Sequence, residues 1–197
     1  MAKSLREQQT QATGKALLAA ARKLFSSRRY GDVTAQNIVE RAKVTRGALY
    51  HHFPEGKAAV FEAVARALQV ELVAEMAAAA ESTKEPWHKL RAVLVAYFAF
   101  AADKTYRQIA LLDAPSVIGA KRWHDIEQEY SLSFIEAGLE QMMVQGEIQS
   151  LSSKTLAAMV FGACCEATLT IAASGDEESA TQEAIDTITL LLKGLRG

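Results

Sequence analysis

At 197 residues, half of them apolar and only three of them proline, the chain has the make-up of a folded protein and excludes collagen-like, mucin-like and disordered classes. Its 22 Lys and Arg nearly cancel its 23 Asp and Glu, so the net charge of −1 on its own points to no charged partner. The two cysteines, Cys164 and Cys165, are neighbours and exclude a framework of disulfides between distant segments.

The balance is not even along the chain. Residues 1–60 hold 11 basic against 4 acidic side chains, a local excess of +7, and residues 61–197 hold 11 against 19, a deficit of −8. A basic segment of this kind points to nucleic acid or an anionic surface, or to a solvated basic face, and residue order has to decide. The polar opening Met1-Ala2-Lys3-Ser4-Leu5-Arg6 leads into no apolar stretch of a secretory signal. The longest apolar runs, 92–102 and 156–165, fall short of the roughly 20 residues that span a bilayer. No transmembrane helix and a cytoplasmic location are expected.

Apolar residues recur at spacings of three and four almost throughout, which predicts an all-α fold. The first helix is expected over 11–26, with Leu17, Leu18, Ala21, Leu24 and Phe25 on one face. After a turn at Arg28–Val33, Thr34 can cap a short helix that turns Ile38, Val39 and Ala42 inward. Lys43 and Val44 form the next turn, and Thr45 can cap a helix from Arg46 to about Phe53. Past Pro54-Glu55-Gly56 a long helix is predicted over 57–80, with Val60, Val64, Leu68, Leu72 and Met76 in steps of four. Pro86 suits the first turn of the next helix. A short segment over 106–112 is expected to stop at Asp113-Ala114-Pro115. A helix over 121–145 follows, carrying Trp123, Ile126, Tyr130, Ile135, Leu139 and Met142. The last two helices are expected over 154–173, apolar on both faces, and 179–195. Their stripes Val160, Ala163, Cys164, Ala167 and Ile171, and Ile185, Ile188 and Leu192, are the candidate interface of a homodimer; the alternative is that they complete the core of one chain.

Two short helices joined by a tight turn inside the basic segment have the sequence form of a helix-turn-helix, whose second helix enters the major groove of double-stranded DNA. Its candidate contacts are Thr45, Arg46, Gly47, Ala48, Tyr50, His51 and His52. Gly47 and Ala48 permit close approach, and Arg46 suits a bidentate bond to a guanine edge. Adjacent helical histidines diverge by about 100°, which disfavours a metal site at His51 and His52.

These residues carry a family resemblance. Leu17 to Phe25, Tyr30, Val33-Thr34, Ile38, Ala42, Val44 to Phe53 and Lys57 resemble the DNA-binding domain of the tetracycline-repressor (TetR) family of bacterial transcriptional regulators, over about the first 60 residues. Two positions depart from the family pattern: Arg29 stands where a glycine usually precedes the aromatic residue, and Lys43 where a glycine usually follows the alanine of the turn. The resemblance implies that Thr34 caps the second helix and touches a phosphate, that Tyr50 and His52 touch the DNA backbone, and that Lys57 presents its ammonium there. Caps alone for Thr34 and Thr45, and packing for Tyr50, are the alternatives.

The resemblance further implies a DNA-binding domain at 1–56 and a ligand-binding and dimerisation domain at 57–197, about nine helices in all. It implies a regulator, taken as a repressor, that grips a palindromic operator as a homodimer and is released by a small molecule. Aromatic and sulfur side chains on the later helices, Tyr97, Phe98, Tyr106, Trp123, Tyr130, Met142, Met143, Met159, Phe161 and Cys165, are pocket candidates, and few charges accompany them. A small apolar or aromatic effector is therefore expected, with Arg91, Arg107, His124 or Asp125 as candidate polar partners; no cofactor and no metal are. Cys164 and Cys165 either pack or sense oxidants. No phosphate loop, zinc spacing or nucleophile with its base is present to suggest an enzyme.

Overall fold

A computed structural model describes residues 5–196; the opening Met1-Ala2-Lys3-Ser4 lies outside the described residues. Nine helices and no strand occur among the described residues. They are α1 (Leu5–Phe25), α2 (Ala35–Ala42), α3 (Arg46–His52), α4 (Lys57–Glu81), α5 (Pro86–Ala101), α6 (104–117), α7 (120–144), α8 (Ser153–Ala172) and α9 (Glu177–Lys193), with one 3₁₀ turn at Tyr30–Asp32. The segment expected to stop at Pro115 instead runs on to Val117, because Pro115 sits at the start of a new α-helical turn, where its missing N–H costs nothing.

Two of these helices are not uniform. The middle of α6, Arg107–Asp113, and of α7, Gln128–Leu132, are wound as π-helix. The π turn in α7 shifts the inward stripe: Trp123 and Ile126 are buried before it, Ser131 and Leu132 within it, while Tyr130 and Ile135 are only half-buried.

Packing divides the chain into two compact units. The first runs through Leu68 and adds Lys104–Trp123; the second holds Gln69–Asp103 and the chain from His124 onward. The turn after α3, where a functional boundary at residue 56 is expected, lies inside the first unit.

In the first unit, α1 packs on α2 and α3 through Leu17, Ala20, Ala21 and Leu24, with Ile38, Val39 and Leu49 facing them. Phe25, Tyr30 and Phe61 form a cluster with ring centroids 5.0–5.9 Å apart. Arg122 at the start of α7 donates to Glu62 at 2.8 Å, and Arg66 bonds the same carboxylate at 3.0 Å. Burial raises the Glu62 carboxyl, but these two arginines outweigh it and hold it below its ordinary value.

In the second unit α8 packs on α5, α7 and α9. It is 20 residues long with mean hydropathy 1.6, long and apolar enough to cross a membrane by length and composition. Its inward face, Ala157, Val160, Phe161, Cys164, Thr168 and Ile171, is buried among the other helices, and Glu166 sits on the outer face.

The turn between α2 and α3 is closed by backbone bonds alone. Val44 N–H reaches Val39 O at 3.1 Å and Lys43 N–H reaches Glu40 O at 3.1 Å, the two bonds of a Schellman motif. Lys43 occupies its left-handed position at φ 56°, ψ 42°, and no other described non-glycine residue has positive φ. A side chain there costs about 1–2 kcal/mol. Lys43→Gly is therefore expected to raise stability by about 0.5–1 kcal/mol after the extra unfolded-chain entropy of glycine is subtracted. Chemical denaturation checks this, and a variant no more stable than the native chain would show that the lysine is not strained.

Candidate functional site

The helix-turn-helix is built from two capped helices. Thr34 Oγ1 accepts from Asn37 N–H at 3.1 Å while Asn37 Oδ1 accepts from Thr34 N–H at 3.0 Å, a reciprocal capping box. Thr45 Oγ1 accepts from Ala48 N–H at 3.2 Å and caps α3. In both caps the hydroxyl oxygen is the acceptor, so its own proton stays available to a phosphate.

One side of α3 is anchored and the other is open. Leu49 is fully buried, whereas Thr45, Arg46, Gly47, Tyr50 and His51 are exposed and Ala48 is half-buried. The Arg46 guanidinium lies over the Tyr50 ring, 5.7 Å from its centroid, which orders both side chains on the open face. Arg28, Arg29, Arg41 and Lys43 are also exposed in this basic segment. The His51 and His52 rings sit edge to face at 5.5 Å. His52 is half-buried against α1: a Cβ on Gly14 would lie 3.3 Å from its Nδ1.

Lys57 is placed differently from its expected role. Its ammonium donates to Val33 O at 2.8 Å and Tyr30 O at 3.0 Å, and lies 3.8 Å from the centre of the Tyr30 ring. Desolvation lowers its pKa. In this structure the group pins α4 to the 3₁₀ turn rather than facing outward with Arg46.

The second unit contains a cavity of about 100 Å³. Met76, Leu94, Tyr97, Leu139, Met142, Val160 and Cys164 form its buried wall, and Lys84, Lys89, Gln141 and Gln145 stand among its more exposed lining. Of the expected pocket residues, Tyr97 and Met142 line it. Phe98 and Phe161 are buried outside its wall, Tyr130 and Met143 are half-buried, Met159 is 68% exposed, and Tyr106 and Trp123 belong to the core of the first unit. Cys165 stands behind Tyr97, whose hydroxyl is 3.6 Å from its sulfur. Burial pushes both thiols up to about 12; the adjacent sulfur adds to the rise at Cys164, while at Cys165 the Tyr97 hydroxyl offsets part of it and Glu127 adds to it. Arg91 pairs with Asp186 at 2.7 Å and lines a separate cleft with Trp87 and His88; His124 and Asp125 are exposed and Arg107 is half-buried, all three outside the cavity wall.

The stripe expected to form a dimer interface is turned inward. Val160, Cys164, Ile171, Ile185, Ile188 and Leu192 are buried within the single chain, Ala167 is half-buried and only Ala163 is exposed. The reason is that α5, α7 and α9 already cover that side of α8. The outer faces instead present Met159 at 68%, Leu190 at 71% and Leu191 at 67% exposure.

Comparison with known proteins agrees with this architecture. The family described as "Bacterial regulatory proteins, tetR family" matches residues 17–64, and "Tetracyclin repressor-like, C-terminal domain" matches residues 87–195. The chain belongs to the TetR family. Like other TetR-family transcriptional regulators it pairs a DNA-binding helix-turn-helix with a helical C-terminal domain. The TetC protein of transposon Tn10 from Escherichia coli is 23% identical over 160 residues, 81% of this chain and 80% of that protein. A TetR-family regulator from Pectobacterium atrosepticum superposes with a TM-score of 0.79 at 29% identity, covering 98% of each chain. FadR from Bacillus subtilis, solved in complex with stearoyl-CoA, shares the fold at TM-score 0.76 and 18% identity, covering 91% of this chain and 98% of its own.

Gly56 is the residue in this TetR-type head that sequence reading passed over. At φ 66° it ends the turn before α4, and a Cβ there would stand 3.0 Å from Tyr50 Cε1. Gly56→Ala is expected to cost about 1–2 kcal/mol of stability and to displace Tyr50. A denaturation midpoint and DNA affinity both equal to the parent's would refute the placement.

Proposed function

We propose that this TetR-family regulator is a repressor that binds a palindromic operator as a homodimer and is released from it by a small molecule. The observation that carries the DNA-binding mode is the open face of α3, where Thr45, Arg46, Gly47 and Tyr50 are exposed while Leu49 holds the helix to α1 and α2. In this reading Arg46 reads a base edge, Thr34, Thr45 and Tyr50 hold phosphates, and His51 and His52 flank the contact. Lys57 acts on affinity by holding the head together. Function divides at residue 56, with DNA binding before it and effector binding and dimerisation after it, and the protein works in the cytoplasm beside its DNA, with no cofactor.

Dimerisation is assigned to the outer faces of α8 and α9. Met159, Gly162, Ala163 and Glu166 follow a helical stripe, and Leu190 and Leu191 stand exposed on α9, which packs beside α8. Large apolar groups left in water on adjacent helices favour a second copy. Two recognition helices must then sit about 34–36 Å apart to meet successive major grooves. Release by a small molecule is supported by the apolar cavity in the second unit and by FadR, a protein of the same fold solved with an acyl-CoA. A molecule that favours the mismatched spacing weakens DNA binding by its differential affinity for the two states.

Fragments selected from a random DNA pool are expected to be palindromic, with affinity falling steeply as salt is added. Arg46→Ala is expected to lose about 1–3 kcal/mol of discrimination at one base pair of each half-site. Equal losses on selected and random DNA would remove Arg46 from the base-reading set. Leu191→Glu is expected to shift the dimer to monomer in light scattering and abolish operator binding; an unchanged dimer would move the interface elsewhere.

A further inference from the structure

The cavity of the second unit has a chemical polarity that its apolar wall conceals. The α5 face that carries Pro86, Lys89, Leu90, Val93, Leu94 and Tyr97 lines it, while Glu85, His88 and Arg91 on the other side of the same helix line a separate cleft. The carboxylate at the start of α5 is thereby turned away: Glu85 bonds His88 N–H at 2.6 Å and sits 3.3 Å from its ring nitrogen. Lys84 and Lys89 remain on the cavity side, and neither ammonium makes an ion pair or a hydrogen bond with the rest of the described chain. The other lining residues with polar side chains, Gln141, Gln145, Tyr97 and Cys164, carry no charge. No carboxylate lines the cavity among the described residues.

An apolar chamber whose only charges are two unpaired cations suits an anionic amphiphile. Its size sets a limit on the apolar part. The chamber holds about 100 Å³, somewhat less than the ~150 Å³ cavity that accepts a benzene ring. That volume is on the scale of a short aliphatic chain, or of one small ring seated partly among the exposed lining residues, and not of a long acyl chain.

We infer that the effector is a small carboxylate, with a single-ring or short-chain body against Leu94, Tyr97 and Val160 and its anionic head held by Lys84 and Lys89. The inference rests on the cavity being the effector site. Hydrogen bonds to a charged head are worth enough that losing both lysines should weaken binding about tenfold or more.

The test uses the full chain and four probes: benzoate, hexanoate and their neutral amides, with stearate as a long-chain comparison. Calorimetry is expected to show both short carboxylates binding at least about tenfold tighter than their amides. The double variant Lys84→Gln/Lys89→Gln should bring carboxylate affinity down to the amide level and leave the amides unchanged. Amides binding as well as carboxylates, a double variant binding carboxylates like the parent, stearate binding in preference to both, or no short carboxylate binding would each overturn the inference. Gly138→Phe separates this from failure of the effector reading itself, since Gly138 lines the cavity and a side chain there meets open space. If Gly138→Phe blocks the amides and they release selected DNA from the parent, the cavity is an effector site that does not choose anions. If every probe that binds does so equally in the filled variant, the cavity is not the effector site and both readings fall.

Discussion

The DNA-binding head depends on one half-buried cation. Lys57 gives its ammonium to the carbonyls of Tyr30 and Val33 and rests on the face of the Tyr30 ring, which is itself held between Phe25 of α1 and Phe61 of α4. Taking an ammonium partly out of water is unfavourable, and the lowered pKa records it. Two carbonyl dipoles and an aromatic face together replace the lost hydration. The result is that α1, the turn before α2 and the first turn of α4 are all referenced to one side chain. Asp113 in α6 accepts the Tyr30 N–H at 3.3 Å, so Tyr30 also donates a bond to a later part of the chain.

On that base, α3 needs little of its own. It spans only Arg46–His52, too short to persist alone, and depends on Leu49 buried beneath it and Thr45 capping its start. A short helix held from below leaves its upper side chains uncommitted, which suits a reading surface. The second unit works by the opposite arrangement. There α8 is committed on its inner side to α5, α7 and α9, and the residues available for other roles are those left over: a small chamber in one direction and an apolar outer face in the other.

The head was readable from the chain because its signals are local. Caps at Thr34 and Thr45, a break at Lys43 and the buried spacing of Ile38, Val39 and Leu49 each lie within a few residues of what they determine. Even the discord at Lys43, a side chain where the family keeps glycine, appears as a positive φ. The second unit was less readable because its information is not local. In α8 both faces are apolar, so composition cannot say which one turns inward, and the stripe chosen for a partner chain proved to be core. Aromatic residues were a poor guide to the cavity: Tyr106 and Trp123 are core residues of the other unit, and the wall is made largely of aliphatic side chains such as Leu94, Leu139 and Val160. Met76, in the four-residue rhythm of α4, was visible, but nothing along the chain says what it faces.

The π turn in α7 makes that helix two helices joined out of phase. A residue beyond the usual count turns everything after it by about 100° relative to a continuous α-helix. Ile126 is buried before the π turn and Leu139 and Met142 after it, although the backbone never stops being helical. Relatives aligned on helical phase alone will therefore drift by one position across 128–132. In a relative without the bulge, the residue matching Leu139 by count occupies a different face of that helix.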